Sequence, residues 1–319
     1  MKLLVTGGAG FIGSHFLRSQ IIKNYWEKIV VLDSLTYAAN LNNIKEFIDT
    51  SQIDFVKGDI CDEKIVKYVM EDVSTVVHFA AESHVDRSII SSKPFITSNV
   101  LGTQNLLDQA LKIGLQTFIH ISTDEVYGSI ENGSWNEIEP VKPNSPYSAS
   151  KASSDLLALA YFRTYGLDVR VTRCSNNYGP NQHAEKLIPR FITNIIDGKK
   201  LPVYGKGNNR RDWLHVSDHC DAIDKVIEFG SAGEIYNIGG GTELSNIELT
   251  YRILKLMNVK DDIIEFVEDR KGHDFRYSVD YTKLNRIGGY KPKIDFEKGL
   301  SSTIQWYVKN IGWWKESAK

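Results

Sequence analysis

The sequence predicts an α/β protein built on a doubly wound parallel sheet, followed by a smaller and more loop-rich C-terminal part. Two observations indicate this fold class. Short runs rich in β-branched residues alternate with longer segments whose apolar residues recur every three or four positions, which is typical of parallel strands joined by crossover helices. A glycine-rich turn also joins the first strand run directly to the first helical run, as in a helix packed closely on a strand.

The predicted strands of the first half are short, and a helical segment or turn follows each. They lie at residues 3–6, 28–33, 53–56, 75–79, 117–122 and 169–173. The crossover helices are predicted at residues 62–70, 95–111 and 149–165. Because parallel strands need right-handed crossovers, these helices should cover both faces of the sheet.

Turn-forming sequences become denser after about residue 175. We therefore predict a sheet domain over residues 1–175 and a second part over residues 176–319. Within the second part, residues 218–229 and 235–238 have the patterns of a helix and a strand that return to the main sheet. Three tryptophans near the end, Trp306, Trp313 and Trp314, are expected to pack a final helix.

The composition excludes several classes of protein. With 38 Lys+Arg against 40 Asp+Glu the net charge is -2, so we expect no nucleic-acid partner and no binding to anionic membranes. No run approaches the roughly 18 apolar residues of a membrane span, and the N-terminus lacks a signal-peptide pattern. Three cysteines are too few for a disulfide framework or a zinc cluster. We therefore expect a cytoplasmic protein without a metal site.

The turn after the first strand has the pattern of a dinucleotide site. It reads Gly7-Gly8-Ala9-Gly10-Phe11-Ile12-Gly13 and opens an apolar helix, whose N-terminus would face a pyrophosphate. Asp33 lies 33 − 13 = 20 residues after Gly13, where a carboxylate binds the adenosine ribose. Its charge would repel a 2′-phosphate, so the pattern favours NAD over NADP. The alternative is a glycine turn that serves packing alone.

Two later strand ends are expected at the same site. Asp59 follows the third strand and is placed near the adenine, whereas Ala80-Ala81-Glu82-Ser83 follows the fourth and is placed near the nicotinamide. Ligands of open α/β sheets bind at the carboxyl ends of the strands. As isolated loop acids, Asp59 and Glu82 could instead be solvated turn residues.

Tyr147 and Lys151 are four residues apart and therefore share one face of a helix. A tyrosine phenol has an ordinary pKa of about 10, and a nearby ammonium together with the positive nicotinamide ring would favour its ionised form, so Tyr147 is a candidate general base. At the end of the fifth strand, Thr123, Asp124 and Glu125 add a hydroxyl and two carboxyl groups. If burial keeps one carboxyl protonated, the pair supplies an acid and a base. The alternatives are a surface Tyr-Lys pair and a solvated acidic loop.

Longer motifs identify the family that this chain resembles. They are residues 6–13, 80–88, 122–128, 147–151, 175–180, 185–189, 211–213 and 269–274. Together they resemble the dTDP-glucose 4,6-dehydratases, which are extended short-chain dehydrogenase/reductases, over nearly the whole chain. Within residues 122–128, the tripeptide Thr123-Asp124-Glu125 distinguishes these dehydratases from the 4-epimerases, which resemble this chain elsewhere.

The resemblance implies a Rossmann fold with bound NAD and a reaction in three steps. Tyr147, assisted by Lys151, takes the C4 hydroxyl proton as hydride leaves C4, while Thr123 hydrogen-bonds that oxygen. Glu125 then removes the C5 proton and Asp124 protonates the departing C6 hydroxyl. Hydride returns to C6 and gives a 4-keto-6-deoxy sugar on its nucleotide.

The resemblance also implies two sets of contacts and a homodimer formed through residues 95–111 and 149–165. The residues expected at the cofactor are Gly7, Gly10, Phe11, Ile12, Gly13, Asp33, Ser34, Leu35, Thr36, Asp59, Ile60, Ala80, Ala81, Ser83, Asn99, Tyr147, Lys151 and Asn176. Those expected at dTDP-glucose are Glu82, Ser83, Arg87, Thr123, Asn177, Lys186, Leu187, Pro202, Val203, Tyr204, Arg211, Asn246, Asp269, Arg270 and His273, with Arg211 as the diphosphate clamp.

Three alternatives stay open from the sequence. The first is a UDP-glucose 4,6-dehydratase, whose substrate carries uracil in place of thymine. Residues 181–184 depart from the family pattern near the region that binds this nucleobase. A nucleotide-hexose 4-epimerase would use Tyr147 and Lys151 but not Asp124 and Glu125. A non-catalytic NAD-binding regulator would need none of these groups. His183 is expected to be an exposed loop residue, and a ligand contact is the alternative.

Overall fold

The computed structural model describes residues 1–317, and twelve strands lie within them. They are β1 (Lys2–Thr6), β2 (Lys28–Asp33), β3 (Asp54–Lys57), β4 (Thr75–His78), β5 (Thr117–Thr123), β6 (Val169–Cys174), β7 (Asn176–Tyr178), β8 (Leu201–Tyr204), β9 (Arg210–His215), β10 (Ile235–Ile238), β11 (Glu243–Ser245) and β12 (Ile264–Val267). The six strands predicted in the first half are all present, with ends shifted by one residue at most.

The helices follow the strands in alternation through the first half of the chain. They are α1 (Phe11–Lys23), α2 (Lys45–Asp49), α3 (Glu63–Val69), α4 (Val85–Ile90), α5 (Lys93–Phe95), α6 (Thr103–Ile113), α7 (Pro146–Tyr165), α8 (Leu187–Ile196), α9 (Val216–Phe229), α10 (Asn246–Met257), α11 (Thr282–Gly288), α12 (Phe296–Lys309) and α13 (Ile311–Ser317). None of the helices described is both long and apolar enough to span a membrane.

Seven strands form one parallel sheet in the order β10-β6-β5-β4-β1-β2-β3. The register aligns Val5 of β1 with Val31 of β2 on one side and with Val77 of β4 on the other. The chain order reverses between β1 and β4, which is the switch point where ligands of such sheets bind. The predicted doubly wound α/β fold is therefore confirmed.

Apolar side chains cover both faces of this sheet. On one face α1 and α9 contribute Phe16, Leu17 and Ile223, which are fully buried. On the other face α3, α6 and α7 pack, with Val66 and Leu107 fully buried. A sheet buried on both sides holds the carboxyl ends of its strands rigidly, so residues that follow them have fixed positions.

The later half of the chain adds two small sheets and returns one strand to the main sheet. β11, β9 and β7 form a three-stranded sheet, and β12 pairs with β8. β10 pairs with β6 at the edge of the main sheet. A separate core surrounds the small sheets, in which Phe191, Leu249 and Trp314 are buried, and Trp306 packs edge-to-face against Trp313.

Two helices differ from their predicted bounds for identifiable reasons. α7 begins at Pro146, because Ser145 and Ser148 form a reciprocal capping box, and this places Tyr147 in the first turn. The segment predicted as one helix over residues 95–111 contains a π-helix at Ile96–Gly102 between α5 and α6. Such turns are frequent at functional sites, and this one contains Asn99.

Candidate active site

Two adjoining cavities lie at the carboxyl edge of the main sheet. The first has a volume of about 670 Å³ and is lined by the glycine turn and by residues that follow β2 to β6. The second, of about 160 Å³, is lined by α4, α8, β8, β9 and the segment after β12. Four residues line both cavities: Glu125, Asn176, Glu185 and Lys186. The two cavities therefore form one continuous site.

The glycine turn packs backbone segments more closely than side chains would allow. Gly7 has φ +71°, and a Cβ added there would lie 2.6 Å from the Ala80 nitrogen, so backbones approach closely here. A Cβ on Gly13 would lie 2.3 Å from the Gly7 oxygen. Gly10 precedes α1, and no side chain caps the first turn of that helix. The helix N-terminus thus presents free backbone N–H groups and its positive dipole end to the first cavity.

Asp33, at the end of β2, is held by two backbone donors. Its Oδ2 accepts from Ala9 N at 2.9 Å and its Oδ1 from Leu35 N at 2.8 Å. Burial raises the pKa of this carboxyl, and the two N–H donors oppose the rise. Asp33 therefore fastens the glycine turn to the segment after β2 while lining the cavity beside it.

Most of the residues expected at the cofactor line the first cavity, and most of those expected at the substrate line one cavity or the other. The first cavity brings together Gly7, Gly10, Phe11, Ile12, Gly13, Asp33, Ser34, Thr36, Asp59, Ile60, Ala80, Ala81, Glu82, Ser83, Thr123, Asp124, Glu125, Tyr147, Lys151, Asn176, Asn177 and Lys186. The second brings together Glu125, Lys186, Leu187, Pro202, Val203, Tyr204, Arg211, Asn246, Arg270 and His273. The first cavity, with its phosphate cradle and an acid beside the second strand, fits a dinucleotide such as NAD.

Two neighbouring carboxyl groups follow β5 where the cavities meet. Thr123 Oγ1 accepts from Glu125 N at 3.3 Å and lies 3.4 Å from Asp124 Oδ1. Burial raises the pKa of Asp124 well above its ordinary value, and the charge of Glu125 raises it further. Burial also raises the pKa of Glu125, but Arg270 and Arg211 oppose that rise. This environment favours a protonated Asp124 beside an ionised Glu125.

Tyr147 and Lys151 lie on the face of α7 that lines the first cavity. Burial raises the pKa of the Tyr147 phenol well above its ordinary value, the Glu125 carboxylate adds to this, and a hydrogen bond with Thr123 opposes it. Burial lowers the pKa of Lys151 to about 8, and its Nζ donates to the Ile121 carbonyl at 2.7 Å. In the protein without NAD, burial of the phenolate therefore outweighs the nearby ammonium.

The second cavity is rich in cationic side chains. Arg211 is buried, with Nη2 donating to Asp274 O at 3.0 Å and its guanidinium carbon 4.4 Å from the centre of the Tyr277 ring. Lys186 Nζ donates to Ser83 O at 2.7 Å. Arg270 Nη1 lies 3.5 Å from Asp86 Oδ1, and its Nε has no hydrogen-bond partner within the described chain. Positive charge with unused donors suits a diphosphate.

Four of the expected contact residues line neither cavity. Leu35 has φ 54° and turns its backbone N–H to Asp33. Asn99 is buried behind the lining, where its side chain bonds both the N–H and the carbonyl of Glu82. Asp269 accepts from His273 Nδ1 at 2.6 Å, and Arg87 donates to Glu185 at 3.1 Å. These four support lining residues.

Sequence reasoning missed several residues of the lining. The expectation of an exposed His183 is wrong, because its side chain is only 15% exposed and its ring packs edge-to-face on Tyr37. Glu185 lines both cavities, and Cys174 and Arg190 line one each. Position at the end of β6 could have indicated Cys174, and Glu185 begins the motif at residues 185–189, which was not assigned a contact at that position.

Known nucleotide-sugar dehydratases are similar to this chain over almost its whole length. The family profile described as GDP-mannose 4,6 dehydratase matches residues 4–303. A dTDP-glucose 4,6-dehydratase of Actinoplanes sp. is 54% identical over 319 residues, covering 98% of this chain and 100% of the relative.

Solved structures separate the dehydratases from the epimerases. DesIV, a dTDP-glucose 4,6-dehydratase from Streptomyces venezuelae solved with NAD and TYD bound, matches with a TM-score of 0.98 and 54% identity, covering 99% of this chain and 100% of that chain. The UDP-glucuronic acid 4-epimerase from Bacillus cereus, in complex with UDP-glucuronic acid and NAD, has a TM-score of 0.91 but 28% identity, covering 97% and 99%. The chain belongs to the dTDP-glucose 4,6-dehydratase family.

Proposed function

We propose that this protein converts dTDP-glucose to dTDP-4-keto-6-deoxyglucose and water, with NAD as a cofactor that is regenerated in each turnover. One observation carries the proposal: a buried acid, Asp124, and a neighbouring carboxylate, Glu125, lie beside Tyr147 where a dinucleotide cradle meets a cationic cavity. A simple 4-epimerase has no step that needs the carboxyl pair. A binding protein needs neither the pair nor Tyr147.

The first step is oxidation at C4 of the hexose. When bound, NAD⁺ supplies the acceptor for the C4 hydride and later its return to C6. Tyr147 takes the proton of the C4 hydroxyl, and Thr123 hydrogen-bonds the same oxygen. Since burial keeps the phenol protonated in the protein alone, added positive charge is needed to ionise it, and Lys151 holds one such charge.

The second step is elimination of water across C5 and C6. The 4-keto group acidifies the C5 proton, Glu125 removes that proton, and Asp124 gives its proton to the departing C6 hydroxyl. Burial raises the pKa of both carboxyl groups, but it raises that of Asp124 more strongly, and Arg270 and Arg211 favour the ionised form of Glu125. This difference supports the two roles. Glu125 then holds the proton that C5 receives when C6 is reduced.

We assign the second cavity to the dTDP moiety. Arg211 is placed at the diphosphate, and Asn246, whose buried Oδ1 has no hydrogen-bond partner within residues 1–317, is an available acceptor for the substrate. We keep residues 1–175 as the NAD-binding part and residues 176–319 as mainly the nucleotide-sugar part, with β10 as a return to the main sheet.

We also propose a cytoplasmic homodimer that interacts with no nucleic acid or membrane and makes a precursor of deoxysugars such as rhamnose. Exposed apolar side chains on the π-helix and α7 support the dimer, since Leu101, Leu156 and Tyr165 are each more than half exposed. The three cysteines are free thiols, which fits a reducing compartment.

The deciding experiment is mass-resolved turnover of dTDP-glucose beside UDP-glucose, with Glu125→Gln as the matched variant. We expect the protein to dehydrate dTDP-glucose, and to do so faster than it dehydrates UDP-glucose. The Glu125→Gln variant should dehydrate neither sugar. Faster turnover of UDP-glucose would identify a uridine-sugar dehydratase. A product of unchanged mass with inverted C4 would identify an epimerase, and binding of NAD without turnover of either sugar would identify a regulator.

A further inference from the structure

Three segments from distant parts of the chain meet outside the place where the two cavities adjoin. The segment after β2 lines the first cavity with Ser34 and Thr36, and it carries Tyr37. Arg87 lies in α4, and Glu185 immediately precedes Lys186 at the start of α8. Glu185 lines both cavities, whereas Arg87 is half exposed and lines neither. Their contact is therefore on the solvent side of the Glu185 wall.

The contacts between these segments are specific. The guanidinium carbon of Arg87 lies 3.7 Å from the centre of the Tyr37 ring, within the range of a cation–π interaction. Arg87 Nε donates to Glu185 Oε2 at 3.1 Å. His183 packs edge-to-face on Tyr37, with the two ring centres 5.6 Å apart. Arg87 thus joins the segment after β2 to the segment before α8.

We propose that Tyr37, Arg87 and Glu185 form a bridge that holds the cofactor cavity closed and so retains NAD throughout the reaction. The segment after β2 and the segment before α8 both line the first cavity, so breaking the bridge that joins them frees two parts of the cavity wall to separate. The inference rests on the proposed function for its purpose, although the bridge itself is defined by contacts within the protein.

The chemistry explains why retention matters in this reaction. The hydride removed from C4 must come back to C6 of the same sugar. If the cofactor left between the two steps, the hydride would leave with it, and the sugar would remain oxidised without reduction at C6. An enzyme that consumed NAD as a substrate would have the opposite requirement, because it must release the cofactor in every cycle.

The test is the rate at which radiolabelled NAD dissociates from the protein in excess unlabelled NAD, without sugar present. We expect Arg87→Ala and Tyr37→Leu each to raise this rate about tenfold, because exposed cation–π and ion-pair contacts are individually weak. The double variant should be no faster than the faster single variant, since both changes break one bridge. Tyr37→Phe keeps the aromatic ring that Arg87 contacts and should raise the rate less than Tyr37→Leu.

The chain offers a matched control in Arg18, which pairs with Glu46 and lies 5.0 Å from the centre of the Phe47 ring without lining either cavity. Arg18→Ala should leave NAD dissociation unchanged. Equal rates in Arg87→Ala, Tyr37→Leu and Arg18→Ala would overturn the proposal. If Arg87→Ala does not fold, the NAD dissociation rates of Tyr37→Leu and Glu185→Gln can be compared with that of Arg18→Ala instead.

A second readout separates retention from a general loss of structure. During turnover of dTDP-glucose, Arg87→Ala should lose activity progressively and regain it when NAD is added, whereas its melting temperature without NAD should match that of Arg18→Ala. Activity that NAD does not restore would contradict the proposal. Because dissociation is measured without sugar, failure of wild-type dehydration would refute the proposed function and leave the bridge to be judged by its own rates.

Discussion

Replacing Lys151 by Met should make the protein more stable at neutral pH while removing its activity. Lys151 is 4% exposed, and burial lowers its pKa from 10.5 to about 8. At ~1.36 kcal/mol per pKa unit, holding the charge costs the folded state roughly 3 kcal/mol. The variant also loses the hydrogen bond from Lys151 to Ile121 O, which destabilises it by about 1 kcal/mol. We therefore expect a net gain of about 2 kcal/mol at pH 7.

The stability gained by replacing Lys151 with Met should decrease as the pH rises. Folded wild-type protein releases the Lys151 proton near pH 8, whereas the unfolded chain holds it until about pH 10.5. Between these values the unfolded state binds more protons, so this group stabilises wild-type protein as the pH rises. The variant lacks this increase. Its advantage should therefore be largest below pH 8 and should shrink steadily above it.

The assay is urea unfolding of NAD-free protein at pH 7.0 and 9.5, followed by tryptophan fluorescence. Lys112, an exposed residue of α6, provides the control Lys112→Met, which should match wild type at both values. A variant less stable than wild type at pH 7, or a difference independent of pH, would refute the reasoning. The lost activity should appear as failure to oxidise C4.

Three further substitutions test the proposed roles. Glu125→Gln should still oxidise C4 but exchange the C5 proton with deuterated water at least about a hundredfold more slowly by mass spectrometry; wild-type exchange would remove Glu125 from its role. Tyr147→Phe should slow reduction of bound NAD, followed by absorbance, by about 10² to 10⁴; a loss below tenfold would contradict general-base catalysis. Gly13→Ala should abolish NAD binding by calorimetry, because the added Cβ would lie 2.3 Å from Gly7 O, whereas Gly312→Ala, with no atom within 4 Å, should bind normally.

Local signals in the sequence were sufficient for the main sheet and the glycine turn. β-branched runs between turn residues located β1 to β6, and the distance from Gly13 to Asp33 placed an acid beside the turn. These features are set by residues near one another in the chain. The roles assigned to the lining residues remain predictions, which the variants above address.

Tertiary contacts decided what the sequence did not predict. Asn99 lies in a π-helix and turns inward to bond Glu82, which no periodicity signals. Arg87 reaches a residue 98 positions later in the chain. Burial by several segments raises the pKa of Tyr147 in the protein without NAD, and the spacing of Tyr147 and Lys151 in the chain does not signal this effect.

The position of β10 has a consequence for how the protein is made. β6 lies at the edge of a six-stranded sheet until residues 235–238 pair with it. A chain emerging from the ribosome therefore exposes the backbone donors and acceptors of that edge until β10 has been synthesised, and such edges promote association between chains. During translation of the segment between β6 and β10 this edge is therefore open to pairing with other chains, and a fragment that ends at residue 175 would keep the exposed edge permanently.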